Sequence, residues 1–162
     1  MGKAVAVIAA AGSLMVLTPG TSQATDYIEL RNQNSGKCLE VENSSHENGA
    51  RVQQWDCRGQ EGSQWFFYKS PVSGYLQIRN RFSDMCLEVA DGDTRNGARI
   101  QVWGCVAGAR NQAWIVGGGK IINYGTNKAV EIADSSTDNG APAQQWNYVG
   151  YATQRWNTSS IG

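Results

Sequence analysis

One pattern occurs three times in this 162-residue chain, and it limits the available folds more than any other property of the sequence. The middle copy runs Cys86-Leu87-Glu88-Val89, then Asn96-Gly97-Ala98-Arg99-Ile100-Gln101-Val102-Trp103-Gly104-Cys105, then Asn111-Gln112-Ala113-Trp114. The first runs Cys38-Leu39-Glu40-Val41, Asn48-Gly49-Ala50-Arg51-Val52-Gln53-Gln54-Trp55-Asp56-Cys57, then Ser63-Gln64-Trp65-Phe66. The third runs Ala129-Val130-Glu131-Ile132, Asn139-Gly140-Ala141-Pro142-Ala143-Gln144-Gln145-Trp146-Asn147-Tyr148, then Thr153-Gln154-Arg155-Trp156. In each copy 17 positions separate the opening residue from the middle Trp (38 to 55, 86 to 103, 129 to 146). Every Trp and every Cys lies inside a copy.

The segment before the repeats has a different character. Lys3 precedes an apolar run from Ala4 to Leu17, Pro19-Gly20 breaks it, and Ser22-Gln23-Ala24 offers small residues at the positions a signal peptidase reads. The run is too short to span a bilayer stably, so residues 1–24 are expected to be a cleaved secretion signal and the chain to be extracellular. The expected mature chain, 25–162, has 138 residues (162 minus 24), the size of one domain. Without Lys3 it carries 13 basic and 14 acidic side chains and no basic stripe, which argues against nucleic acid or an anionic membrane as partner. Four Cys in a secreted chain predict two disulfides. Cys38 to Cys57 and Cys86 to Cys105 have the same spacing of 19, so within-repeat pairing is the economical choice among three connectivities. Ala129 and Tyr148 replace the third pair, a small residue facing a large one that would fill the same volume.

Short strand-like runs alternate with turn residues. In the second repeat they are 75–79, 85–89, 99–103 and 112–116, and Asn-Gly before the third run of each copy predicts a turn with positive φ. Three repeats (about 27–70, 75–118 and 120–160) of four strands give an all-β chain with pseudo-threefold symmetry. Three units are too few to close a propeller but suit a barrel capped by hairpins, a β-trefoil. Strand alternation sends Leu87, Val89, Ile100 and Val102 to the core. Glu88 then points outward, and Gln101 and Trp103 share the other face, forming a shallow polar pocket with an apolar floor. Gln54 in the first copy, and Ala143 and Gln145 in the third, blur the same alternation there.

These residues resemble the ricin B-type lectin family, whose β-trefoil domains occur as carbohydrate-binding modules of secreted bacterial glycosidases. The Gln-x-Trp signature stands as Gln112-Ala113-Trp114 and Gln154-Arg155-Trp156, and as Gln64-Trp65-Phe66 with Phe at the aromatic position. The Cys pairs and the Gln-x-Trp-x-Cys run also match, and the similarity spans about Tyr27 to Asn157. The resemblance implies one sugar site per repeat: a carboxylate accepting from sugar hydroxyls, an aromatic stacking on the ring, and amides completing the rim. Carried over, the second site is Glu88, Gln101, Trp103, Asn111 and Gln112. The first is Glu40, Gln53, Trp55, Ser63 and Gln64, and the third is Glu131, Gln144, Trp146, Thr153 and Gln154. Glu stands throughout where the family has Asp, and only the second repeat keeps Asn before Gln. The third also lacks the disulfide and is one position shorter between Trp146 and Gln154 (8 against 9). Together these rank the sites second, first, third.

Other roles are narrowed by what the chain carries. Trp114, Trp156 and Phe66 are expected in the core, and Trp55, Trp103 and Trp146 on the surface. His46 is the only His, is matched by Thr94 and Thr137, and is expected in a solvated loop. With paired Cys, neither a nucleophile triad nor a zinc site can be assembled, so no metal or cofactor is expected. A single asymmetric active site would not triplicate, so the expected product is a non-catalytic, monomeric module for oligo- or polysaccharide. A trefoil used for protein interaction or inhibition, and a glycoside hydrolase, are the alternatives.

Overall fold

The computed structural model describes Gly2 and residues 27–161, with backbone only for 159–161; the expected secretion signal, 1–24, lies outside the described residues. Twelve strands follow in order: β1 Tyr27–Asn32, β2 Cys38–Val41, β3 Ala50–Trp55, β4 Gln64–Lys69, β5 Leu76–Asn80, β6 Cys86–Val89, β7 Ile100–Trp103, β8 Trp114–Gly117, β9 Lys120–Asn123, β10 Ala129–Ile132, β11 Ala143–Trp146 and β12 Trp156–Ile161. This is the four-strand, threefold unit that the repeats predict. In the second repeat the fourth strand starts at Trp114 rather than at 112, because Arg110–Gln112 forms a 3-10 turn.

The first and fourth strands of each repeat make the barrel. β1 pairs with β12 from Tyr27↔Ile161 to Asn32↔Trp156, and with β4. β4–β5, β5–β8 and β8–β9 continue the ring. The Trp156 N–H donating to Gly119 O at 2.9 Å closes it. The second and third strands form the hairpins β2–β3, β6–β7 and β10–β11. The hairpins touch one another in a cycle through β3–β7 pairing and the bridges Gln53↔Pro142 and Arg99↔Gln144.

The core repeats with the sequence. Leu30, Ile78 and Ile121 are fully buried, as are Leu39, Leu87 and Val130, and Val41, Val89 and Ile132. Each such side chain contributes about 1.5–3 kcal/mol through removal from water. Trp65, Trp114 and Trp156 lie against them, each donating its indole N–H to a second-strand carbonyl: Leu39 O (2.9 Å), Leu87 O (2.9 Å) and Val130 O (3.0 Å). This corrects the expectation for the first repeat, where Phe66 is only partly buried and Trp65 holds the core position.

The blurred alternation has a structural cause. Gln54 and Gln145 point inward and are fully buried, but every side-chain polar atom is satisfied, the amide nitrogens across a repeat boundary and the carbonyls within the repeat. Gln54 donates to Ser136 O and Asp138 O (both 2.9 Å), and Gln145 donates to Asp93 O (2.5 Å) and Arg95 O (2.9 Å). Their carbonyls accept from Ser35 (2.6 Å) and Thr126 (2.7 Å). Both disulfides pair within repeats, Cys38–Cys57 and Cys86–Cys105. The third repeat does not replace its pair by volume as expected: Ala129 is buried, but Tyr148 is exposed, with the Lys120 ammonium 4.9 Å from its ring.

Candidate functional site

The hairpin register fixes the same constellation three times. Cys38↔Trp55, Cys86↔Trp103 and Ala129↔Trp146 stand opposite one another, and one step along so do Glu40↔Gln53, Glu88↔Gln101 and Glu131↔Gln144. Side chains opposite one another on one face are close enough to bond. Gln53 donates to Glu40 Oε1 (3.1 Å), Gln101 to Glu88 Oε1 (2.8 Å) and Gln144 to Glu131 Oε1 (2.9 Å). The Trp rings stay in solvent, at 37% (Trp55), 41% (Trp103) and 40% (Trp146) exposure.

Glu88 lies on the face away from the core, as alternation requires, yet it is buried rather than open to solvent as expected. A ring of amides covers it. Besides Gln101, its carboxylate accepts at Oε2 from Asn111 (3.2 Å) and Gln112 (2.9 Å). Glu131 accepts from Gln144 and from Gln154 (2.8 Å), and Glu40 from Gln53 and from Gln60 (2.7 Å). A carboxylate offers about four acceptor directions, so each Glu keeps at least one for a ligand hydroxyl.

Gln60 was not singled out by the sequence. Ser63-Gln64-Trp65 is the in-register counterpart of Gln112-Ala113-Trp114, which makes Ser63 the equivalent of Gln112 and Gly62 that of Asn111. Ser63 is too short to reach Glu40; it is fully buried and donates to Gln60 O (2.8 Å). Gln64 points elsewhere, donating to Gly59 O (2.7 Å) and accepting from Arg81. Gln60, three residues earlier than Ser63, reproduces the Gln112 pattern instead: it donates to Glu40 and Asp56 O (2.9 Å) and accepts from the Arg58 N–H (2.9 Å). Gln112 correspondingly donates to Gly104 O (3.0 Å) and accepts from the Val106 N–H (2.8 Å). The first site is therefore Glu40, Gln53, Trp55 and Gln60, beside a cleft of about 290 Å³ that Asn43, Ser44 and Arg58 also line.

In the third repeat, Trp146, Glu131, Gln144, Gln154 and Thr153 line one cleft of about 260 Å³ with Tyr151 and Val149. Thr153 donates to Ile132 O (2.8 Å), the counterpart of the bond from Asn111 to Val89 O (3.1 Å), but does not bond to the carboxylate. The in-register spacing removes one of the reasons for placing the third site below the first, the shorter connection, and leaves the missing disulfide. Trp55 to Ser63 and Trp146 to Gln154 are both 8 positions, against 9 from Trp103 to Gln112.

Two further sets of residues hold the site and were not read from the sequence. Asn32, Asn80 and Asn123 are buried and donate to carbonyls of a 3-10 turn in the neighbouring repeat: Thr153 O (2.8 Å), Gly62 O (2.9 Å) and Asn111 O (2.9 Å). Their recurrence before each turn was the available signal. The Asn-Gly turns, with φ of 83°, 84° and 85° at Gly49, Gly97 and Gly140, fasten each Trp from the neighbouring repeat. Asn48 accepts from the Gly104 N–H (2.8 Å), Asn96 from Asn147 (3.0 Å) and Asn139 from Asp56 (3.0 Å), each just beyond a site Trp. A methyl on Gly49, Gly97 or Gly140 would touch the Trp103, Trp146 or Trp55 ring at 3.7–3.9 Å, so each glycine abuts an indole edge.

Charge near the sites is local. Lys37, hydrogen-bonded to the Asp56 carboxylate, and then the Asn139 amide hold that carboxyl down at about 2. Among the described residues the one acid–sulfur grouping, Glu29 with Cys38 and Cys57, has both sulfurs committed to the disulfide. What each site offers is one flat apolar face beside planar donors and acceptors, the chemistry that matches a pyranose ring and its hydroxyl rim.

Known proteins place this geometry. The family model described as the ricin-type beta-trefoil lectin domain matches residues 26–156. The fold is similar to the designed threefold-symmetric protein ThreeFoil, at 31% identity and a TM-score of 0.78 over 83% of this chain and 99% of that one. It is also similar to an exo-beta-1,3-galactanase from Clostridium thermocellum, at 30% identity and 0.79, over 86% of this chain but only 31% of the enzyme. The earthworm R-type lectin C-half, solved in complex with GalNAc, shares the fold at 19% identity and 0.69, over 84% of this chain and 99% of that one. Among curated proteins no sequence match was found. With the threefold barrel, the paired hairpins and a family match over most of its length, this chain belongs to the ricin-type beta-trefoil lectin domain family.

Proposed function

We propose that the chain is a secreted, non-catalytic carbohydrate-binding module with up to three shallow sugar sites. Membership in a lectin domain family supports carbohydrate binding, and the two disulfides fit an extracellular setting. The observation that carries the reading is the threefold recurrence of a half-exposed Trp beside a Glu–Gln pair. In each, the indole takes the C–H face of a sugar and the carboxylate takes its hydroxyls. The proposed contacts are Glu40, Gln53, Trp55 and Gln60; Glu88, Gln101, Trp103, Asn111 and Gln112; and Glu131, Gln144, Trp146, Thr153 and Gln154. Each site is weak alone, and three on one rigid body bind a repetitive polymer through effective concentration.

The same arrangement accounts for the partners. Nucleic acid and membrane are not expected, and a monomer suffices because multivalency lies within the chain. Labelled protein should adhere to one of insoluble xylan, cellulose or agarose, be eluted by the free sugar, and release no reducing ends. Adhesion that persists when Trp55, Trp103 and Trp146 are all replaced by Ala would overturn the reading.

A further inference from the structure

A groove of about 470 Å³ opens beside the second repeat, lined by Asp91, Gly92, Arg110, Asn111, Gly125 and Thr126. Its position is one of three equivalent junctions between a 3-10 turn pair and the first hairpin turn of the next repeat. At the other two junctions larger residues stand at both glycine positions, and Ser44 and Ser135 line the clefts of the first and third sites instead. Between repeats one and two, Ser44 stands at the Gly92 position and Phe82 at the Gly125 position, with the His46 ring 4.3 Å from that of Phe82. Between repeats three and one, Ser135 and Asn34 take those positions, and Asn34 donates to Ser135 O at 2.9 Å. Two glycines thus create an opening that the pseudo-symmetry would otherwise fill.

One wall of that opening, Arg110, carries a positive charge that its counterparts lack, whereas Asp91 is matched by Asp134. Arg110 replaces Glu61 and Ala152. Its guanidinium lies 4.5 Å over the Tyr124 ring, which itself stacks on Tyr75 at 4.1 Å, so the group is held in place without an ion pair among the described residues. Asp91 likewise makes no side-chain hydrogen bond or ion pair among the described residues. Acceptor and donor groups of opposite charge lining one groove suit an uncharged polyol, whose hydroxyls both donate and accept. Asn111 is the shared wall: it lines the groove and donates to Glu88 Oε2 in the site of Trp103.

We propose that this groove is a second subsite of the second repeat, taking the next unit of an uncharged oligosaccharide, with Arg110 setting the preference for a chain over a single sugar. The proposal rests on the sugar-binding reading of Trp103. It gives the second repeat a longer footprint than the first or third.

Calorimetric titration of the whole chain tests it, in a background carrying Trp55→Ala and Trp146→Ala so that one site remains. The probes are D-galactose, D-xylose and D-glucose and their β-linked trisaccharides. The trisaccharide of the preferred sugar should bind about tenfold more tightly than the monosaccharide, the effect of a bond to a charged donor. Arg110→Ala, which installs the residue of the third repeat, should erase that gain and leave monosaccharide affinity unchanged. Gly92→Ser should do the same by filling the groove, at a backbone position where Ser44 and Ser135 already hold φ of 50° and 51°. A gain that survives both variants, or equal losses for monosaccharide and trisaccharide, would overturn the subsite and leave the sugar reading standing. Failure of every probe to bind, or binding unaffected by Trp103→Ala, would overturn the sugar reading and the subsite with it.

Discussion

Two tryptophans eleven positions apart in the second repeat illustrate how strongly the environment decides a residue's role. Trp114 is fully buried and its indole N–H is bonded to Leu87 O, so Trp114→Ala should cost about 3–5 kcal/mol in chemical denaturation. Trp103 is half-exposed, and Trp103→Ala should leave the denaturation midpoint nearly unchanged while removing sugar binding at its site. Midpoints that fall in the opposite order would reverse the assignment of faces. The first repeat supplies a sharper comparison. Gln60→Ala removes a donor to Glu40 and should weaken the first site by about threefold to tenfold, the effect of one hydrogen bond, whereas Gln64→Ala should leave the Trp55 indole shift on titration untouched. The sequence signature does not distinguish these glutamines, because Gln64-Trp65-Phe66 offers an aromatic at the signature position while lying one residue out of register with Gln112-Ala113-Trp114. The burial of Trp65 and its bond to Leu39 O show which aromatic fills the core position.

At the level of the hairpin, covalent closure separates the repeats. Each disulfide closes a loop with a sequence separation of 19, which contributes about 3 kcal/mol in the chain-entropy picture. Paired Cys→Ser replacement in the first or second repeat should therefore lower stability by that order. In the intact protein the amides of β10 and β11, with no such tie, should exchange with deuterium fastest among the three hairpins. Asp56 adds a pH dependence to the first hairpin. Its carboxyl is lowered from 3.8 to about 2, so the stability it contributes is complete above 3.8 and is lost as the pH falls through about 2. Asp56→Asn should accordingly flatten the loss of stability over that acidic interval, and an unchanged acid profile would remove Lys37 and Asn139 as its partners. Both disulfides and the Asn-Gly turns were legible from spacing alone. The loss of volume at Ala129 and Tyr148 was misread because a spacing argument cannot tell which way an exposed aromatic turns.

Taken as a whole, the molecule was readable wherever the information lies within one repeat, and obscure wherever repeats meet. Triplication and strand alternation supplied the twelve strands, the barrel and the three exposed indoles. The amides of the buried Gln54 and Gln145, bonded 50 to 84 positions away, and the groove beside Arg110 depend on the neighbouring repeat, which no within-repeat pattern reports; Asn32, Asn80 and Asn123 recur visibly, but their partners do not. The Asn-Gly fasteners belong to the same class, and they carry a chemical consequence. Asn-Gly is the pair in which the backbone nitrogen most readily attacks the preceding carboxamide, because glycine leaves it unhindered. Here each glycine N–H is already donated across a junction, to Val102 O, Gln145 O or Gln54 O, and each Asn carbonyl oxygen accepts from the next repeat. Succinimide formation must therefore wait until a junction opens, which makes deamidation a slow record of how often each one does. Peptide mass mapping of aged protein should find residues 48, 96 and 139 intact under native conditions and converted rapidly once the chain is unfolded. Conversion at Asn139 would be self-reinforcing: its amide donates to Asp56 Oδ2 at 3.1 Å, and the new carboxylate would repel that oxygen and keep the junction from reclosing.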